Sequence, residues 1–129
     1  MTEELVTLET AKLLKEKGFK EDVFTFYEVD CVEGDMILSE TYDESENFNE
    51  KNDCLSAPTQ SLAQKWLRET KNIHICVYNC ACGYGYEISK ADNGTHITSS
   101  VYEGTNDGGK WDTYEEALEA GLQEALKLI

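Results

Sequence analysis

The stretch CLSAPTQSLAQKWLRETKNIHICVYNCACGYGY, residues 54–86, holds the only proline of the chain and four of its five cysteines. It reads as a start signal, an amphipathic helix, a short break, an apolar strand and a glycine-marked turn. Ser56 or Thr59 can cap the helix. Pro58 suits a first turn, where its missing N–H has no intrahelical acceptor in any case. Leu55, Leu62, Trp66 and Leu67 share one face, while Gln60, Gln64, Lys65 and Arg68 lie away from it, and Asn72 is a natural terminus. Residues 73–78 then alternate with the period of a strand. Ile73, Ile75 and Val77 lie on one side, and His74, Cys76 and Tyr78 on the other. Cys80-Ala81-Cys82-Gly83 makes a turn into a returning strand over 84–90.

Working outward, residues 5–17 carry a helical stripe of Leu8, Ala11, Leu13 and Leu14, capped at Thr7 and stopped by Gly18. Residues 23–32 are β-branched and aromatic, Glu33-Gly34-Asp35 is a turn, and 36–38 begin a second strand. The segment 42–53, YDESENFNEKND, is nearly devoid of apolar residues and reads as a mobile, solvated acidic loop. Beyond the organising stretch, Asn93-Gly94 favours a type I′ hairpin turn, 96–102 a fifth strand and 104–109 a loop. Thr113 and Glu116 form a capping box for a final helix. Its apolar face comprises Leu118, Leu122 and Leu126 with Ala117, Gly121 and Ala125. The order α-ββ-α-βββ-α implies one α+β domain over residues 1–129, with an antiparallel sheet of about five strands and the helices packed on one face.

A length of 129 residues supports one such core and is short for two. Charge is the unusual quantity: 26 acidic against 11 basic residues, a formal net charge of −15. Bare nucleic-acid backbone and anionic membrane repel such a chain, so direct nucleic-acid or membrane binding is not expected, whereas a basic protein surface attracts it. No apolar run is long enough to span a bilayer, and the N-terminus lacks the pattern of a secretory signal. The odd cysteine count then reads as reduced thiols in a cytoplasmic protein.

His74, Cys76, Cys80 and Cys82 offer four zinc-type donors, and a zinc-stabilised module or a small cysteine- or zinc-dependent enzyme is the alternative reading of the chain. Their spacing is not that of a two-cysteine knuckle, and cysteine is often simply buried. No orienting carboxylate or oxyanion donor accompanies them, so no catalytic residue is assigned and no cofactor is expected. CGYGYE lacks the dinucleotide pattern, and the acidic loop lacks the glycine of a calcium-binding turn. Lys65, Arg68 and Lys71 make a mildly basic ridge on an acidic body, and Tyr84 and Tyr86 add aromatic surface; these five are the candidate protein-contact residues.

The segments TLETAKLLKEKGF (7–19), APTQSLAQKWLRETKNIHI (57–75) and DTYEEALEAGLQEALKLI (112–129) resemble a group of small uncharacterised proteins of phages, prophages and mobile elements from anaerobic gut bacteria. The resemblance implies provenance rather than chemistry. With the charge and the lack of a catalytic constellation, it leads to the expectation of a non-enzymatic accessory protein that binds another protein. An acidic inhibitor imitating nucleic acid is the specific version, and self-association is a further possibility.

Overall fold

The computed structural model describes residues 3–30, 32, 34–103 and 108–129. Helix α1 spans Leu8–Glu16 and buries Thr10, Ala11 and Leu14. Gly18 takes a φ of 93°, and Phe19 N–H then returns to Leu14 C=O at 2.9 Å. That reversal inserts Phe19 into the core, edge-on to Trp66 at 5.4 Å between ring centroids. The residues before α1 are not helical. Leu5 bridges Thr59, and Val6 N–H donates to Pro58 C=O at 3.0 Å.

Strands β1 (Thr25–Val29), β2 (Met36–Glu40) and β3 (Cys54–Ser56) form one antiparallel sheet in the order β2-β1-β3. Strands β4 (Ile73–Cys80), β5 (Gly83–Lys90) and β6 (His96–Ser99) form a second, in the order β4-β5-β6. The expected α+β class holds, but the single sheet of about five strands is replaced by two sheets of three. Two differences in the strands accompany it. Strand β3 is only three residues long, too short to show a period, and it exists because Phe26, Tyr27 and Glu28 pair with it. The strand expected over 96–102 ends at Ser99, because the Ser100 hydroxyl is drawn inward to the Tyr86 N–H and the Gly108 carbonyl, each at 3.0 Å.

Other boundaries move as well. The strand expected over 23–32 shortens to β1, and Val23 pairs with Glu46 instead. The segment 42–53 is anchored in its middle: Phe48 begins a single 3-10 turn, is 3% exposed and stacks on Phe26 at 4.0 Å. Asn49 ties it further, donating to Phe19 C=O and accepting from Ser56 N–H, both at 2.8 Å. Between β5 and β6 only Gly94 has positive φ, so the turn is not type I′. Of the expected turn at 33–35 and loop at 104–109, residues 33 and 104–107 lie outside the described residues.

Helix α2 (Gln60–Lys71) is capped by the Thr59 hydroxyl, which accepts from Leu62 N–H at 3.2 Å, and ends on Asn72 in the left-handed region. Helix α3 (Tyr114–Leu128) is capped by Thr113, whose hydroxyl accepts from Glu116 N–H at 3.1 Å and donates to the Glu116 carboxylate at 3.0 Å. The second sheet presents Ile73, Ile75, Tyr86 and Ile88 to α2 and α3. Gly121 brings α3 close: a Cβ there would lie 2.9 Å from Ile75 Cγ2 and 3.2 Å from the Tyr86 ring. One apolar cluster runs from Val6 and Phe19 through Trp66 and Ile75 to Leu126 and joins all three helices to the second sheet.

Candidate functional site

The residues proposed from the sequence fall in three places. Lys65, Arg68 and Lys71 are exposed on α2, and the Lys71 ammonium lies 5.6 Å from the centre of the Trp66 ring. Tyr84 is half-buried, edge-on to Tyr114, and Tyr86 is 1% exposed, packed on Trp111. Tyr86 therefore belongs to the core, and the tyrosines do not extend the basic ridge into one surface. Their position follows from β4–β5 pairing, which sets Tyr86 beside Val77 on the side that the helices cover.

His74, Cys76 and Cys80 share the opposite side of β4, and Cys82 stands in the turn to β5. Residues two apart on a strand are separated by ~7 Å, so His74, Cys76 and Cys80 are spread along β4 rather than gathered. Among the described residues no three His, Cys, Asp or Glu side chains are placed to hold a metal ion. Cys80 Sγ instead lies 3.3 Å from Gly83 C=O. The glycines beside it are explained by packing: a Cβ on Gly85 would stand 2.5 Å from Gly108 C=O, and one on Gly109 2.3 Å from Cys80 Sγ. The CGYGYE glycines thus admit the backbone of residues 108–111, whose Trp111 C=O accepts from Tyr84 N–H at 2.8 Å.

A feature invisible in the sequence joins the three helices. The Glu119 carboxylate accepts from the Thr7 N–H and hydroxyl at 3.1 and 2.9 Å, from the Thr10 hydroxyl, and from Gln60 Nε2 at 2.9 Å. Thr7 makes no side-chain cap of α1, and Glu119 takes that place, putting negative charge where the helix dipole favours it. Above it opens a shallow groove of about 620 Å3, lined by Glu4, Gln60, Trp111, Glu115, Glu119 and Gln123 among others. Nearby, Tyr27 donates to Val6 C=O at 2.9 Å; burial, and then the charge of Glu119, raises its phenol above the usual 10.0. The carboxylate at the groove floor is engaged by four donors, which makes it a structural tie.

Exposed apolar side chains occur at Ile97, Val101 and Tyr102 beside the second sheet, and a further apolar surface lies on the β1–β2 hairpin. Val29 is 44% exposed, Ile37 42%, Leu38 51% and Val32 90%. The β1–β2 register puts Val29 and Leu38 on the side that carries Tyr27, and Ile37 on the side that carries Phe26, so both faces of the hairpin are apolar toward its tip. Residues 21–44 contain nine carboxylates and no lysine or arginine. Among the described residues none of those carboxylates has a lysine or arginine within ion-pair distance. A signal for this surface was present: Met36-Ile37-Leu38 is apolar at consecutive positions, so a strand must show apolar side chains on both faces. No family model matches the chain, and comparison with curated proteins and with solved structures found no match.

Proposed function

We propose that this is a non-enzymatic binding protein, an accessory protein of phage or prophage origin, that occupies a basic surface of another protein through its β1–β2 hairpin. In its specific form that surface is one that otherwise takes nucleic acid, and the protein acts as an acidic inhibitor. One observation carries the reading: exposed apolar side chains at Val29, Ile37 and Leu38 sit in a segment with nine carboxylates and no compensating cation. Apolar area supplies affinity, and unpaired carboxylates steer and select a partner of opposite charge. The four described cysteines are free thiols, which suits a reducing compartment, and among the described residues no helix is long and apolar enough to cross a membrane.

The test is capture from host lysate at low and high salt with two baits, the native chain and a variant carrying Asp30→Lys, Asp35→Lys and Glu40→Lys. A basic protein held by the native bait, released by salt or by added duplex DNA and lost from the variant, is the expected result. Equal capture by both baits would place the contact elsewhere and overturn the proposal.

A further inference from the structure

We infer that the outer edge of β2 is a strand-addition site that takes an extended peptide segment with an apolar centre flanked by lysine or arginine. The inference rests on the hairpin being the contact surface and names the mode of contact and the kind of segment that fits.

The ladder decides which backbone groups are free. Thr41 N–H donates to Phe24 C=O at 2.8 Å, and Asp30 N–H to Asp35 C=O at 2.6 Å. These bonds bracket the hairpin at both ends. In an antiparallel pair, bonded and non-bonded partners alternate. The bonded pairs between them are therefore Phe26–Ser39 and Glu28–Ile37, read from the same register. On the other side of β1, Ala57 N–H donates to Thr25 C=O at 2.9 Å, the alternate parity, as it must. It follows that the N–H and C=O groups of Met36, Leu38 and Glu40 point away from β1. Strand β2 is the last in its sheet, and among the described residues no backbone hydrogen bond reaches that edge.

Proteins blunt exposed edges with charge, proline or a cover. Here Asp35 and Glu40 bound the edge, while Met36-Ile37-Leu38 between them stays apolar on both faces. The same carboxylates have opposite effects on different occupants. A second copy pairing β2 to β2 sets this acidic segment against its own kind. A segment with lysine or arginine at its ends meets them as counter-ions, and its apolar centre covers Ile37 and Leu38. Main-chain bonds to the edge supply affinity in such additions, and the alternating side chains supply selectivity. Charge complementarity therefore selects the basic segment.

The probe is a fluorescent peptide, KRTVTVTVRK, titrated into the full chain by anisotropy, with EETVTVTVEE as its charge-reversed control. Two further versions of the basic peptide carry N-methyl groups on alternate residues, one in each parity. One parity is expected to lose about tenfold or more in affinity, because its N–H groups face β2, and the other to keep it within about twofold. The charge-reversed peptide is expected not to bind. On the protein side, Leu38→Pro removes an outward N–H without cutting the β1 ladder. It is expected to weaken binding more than Leu38→Ala does. Equal binding of both methylated versions overturns strand addition; if the lysine variant of the hairpin still loses its captured partner, the contact surface itself stands. No binding of the basic peptide, or equal binding of the acidic one, also overturns the inference. A dimer in sedimentation that Leu38→Pro dissolves would assign the edge to a second copy and overturn it too.

Discussion

In the sheet β4-β5-β6 the apolar side chains Ile73, Ile75, Tyr86 and Ile88 lie under α2 and α3, whereas in β2-β1-β3 the residues Val29, Ile37 and Leu38 stand in solvent. Both sheets are antiparallel and three-stranded, so strand chemistry does not explain the contrast. The second sheet has α2 leading directly into β4, and α3 seated on it through Gly121. The first is held near its base, by Phe26 on Phe48, by Tyr27 on Val6 C=O and through β3 by Asn49 and Lys15, and its hairpin runs beyond that support. On its other side the second sheet is covered at the β4–β5 turn end, by residues 108–111 lying on Gly83 and Gly85, while Cys76 and Glu87 stay exposed. The helix-facing side of one sheet is thus closed into the core, and the hairpin of the other keeps apolar side chains exposed.

The contrast breaks most visibly in the covered sheet's core. Leu122→Ala, at a fully buried position of α3, is expected to cost about 3–4 kcal/mol, read from denaturant unfolding. Gly85→Ala is expected to cost about 2–3 kcal/mol in the same assay, because its Cβ meets the Gly108 carbonyl and the Tyr78 ring with no room to retreat. Glu119→Ala strands the Thr7, Thr10 and Gln60 donors at one point and should cost about 2 kcal/mol, with α1 losing amide protection first by hydrogen exchange.

Tyr27 marks the join between the supported and free parts of the hairpin. Its raised phenol pKa means that the fold disfavours the phenolate. That contribution to stability is whole below pH ~10 and is lost as pH rises through the raised value. Melting temperature should accordingly fall above pH ~10, and fall less steeply in Tyr27→Phe, which itself costs about 1 kcal/mol through the lost bond to Val6. At the far end of the hairpin, Leu38→Ala should change stability by no more than about 0.5 kcal/mol. A loss comparable to that of Leu122→Ala would mean that the edge is covered in solution and would erase the contrast.

The candidate site was less legible than the fold. The His74/Cys76/Cys80/Cys82 cluster is compact in sequence, but strand geometry spreads three of its members along β4. Tyr84 and Tyr86 read as aromatic surface in the sequence, and their side was settled by where α3 sits. The hairpin did carry its own mark, three consecutive apolar residues between Asp35 and Ser39-Glu40, yet which of its edges remained free depended on β3 occupying the other side of β1.

What the sequence by itself determined are the elements whose causes lie within a few residues. These are the Thr59 cap and Asn72 terminus of α2, the Thr113 cap of α3, and the alternation that makes 73–78 a strand. Their hydrogen bonds and side-chain periods are closed locally, so composition and spacing suffice. Only the tertiary structure decided that β3 exists, that the strands divide into two sheets, that Phe48 anchors an acidic segment, and that Glu119 caps a helix more than a hundred residues away. Each of those rests on partners distant in the chain, whose approach is set by the packing of the whole core rather than by any neighbouring residue.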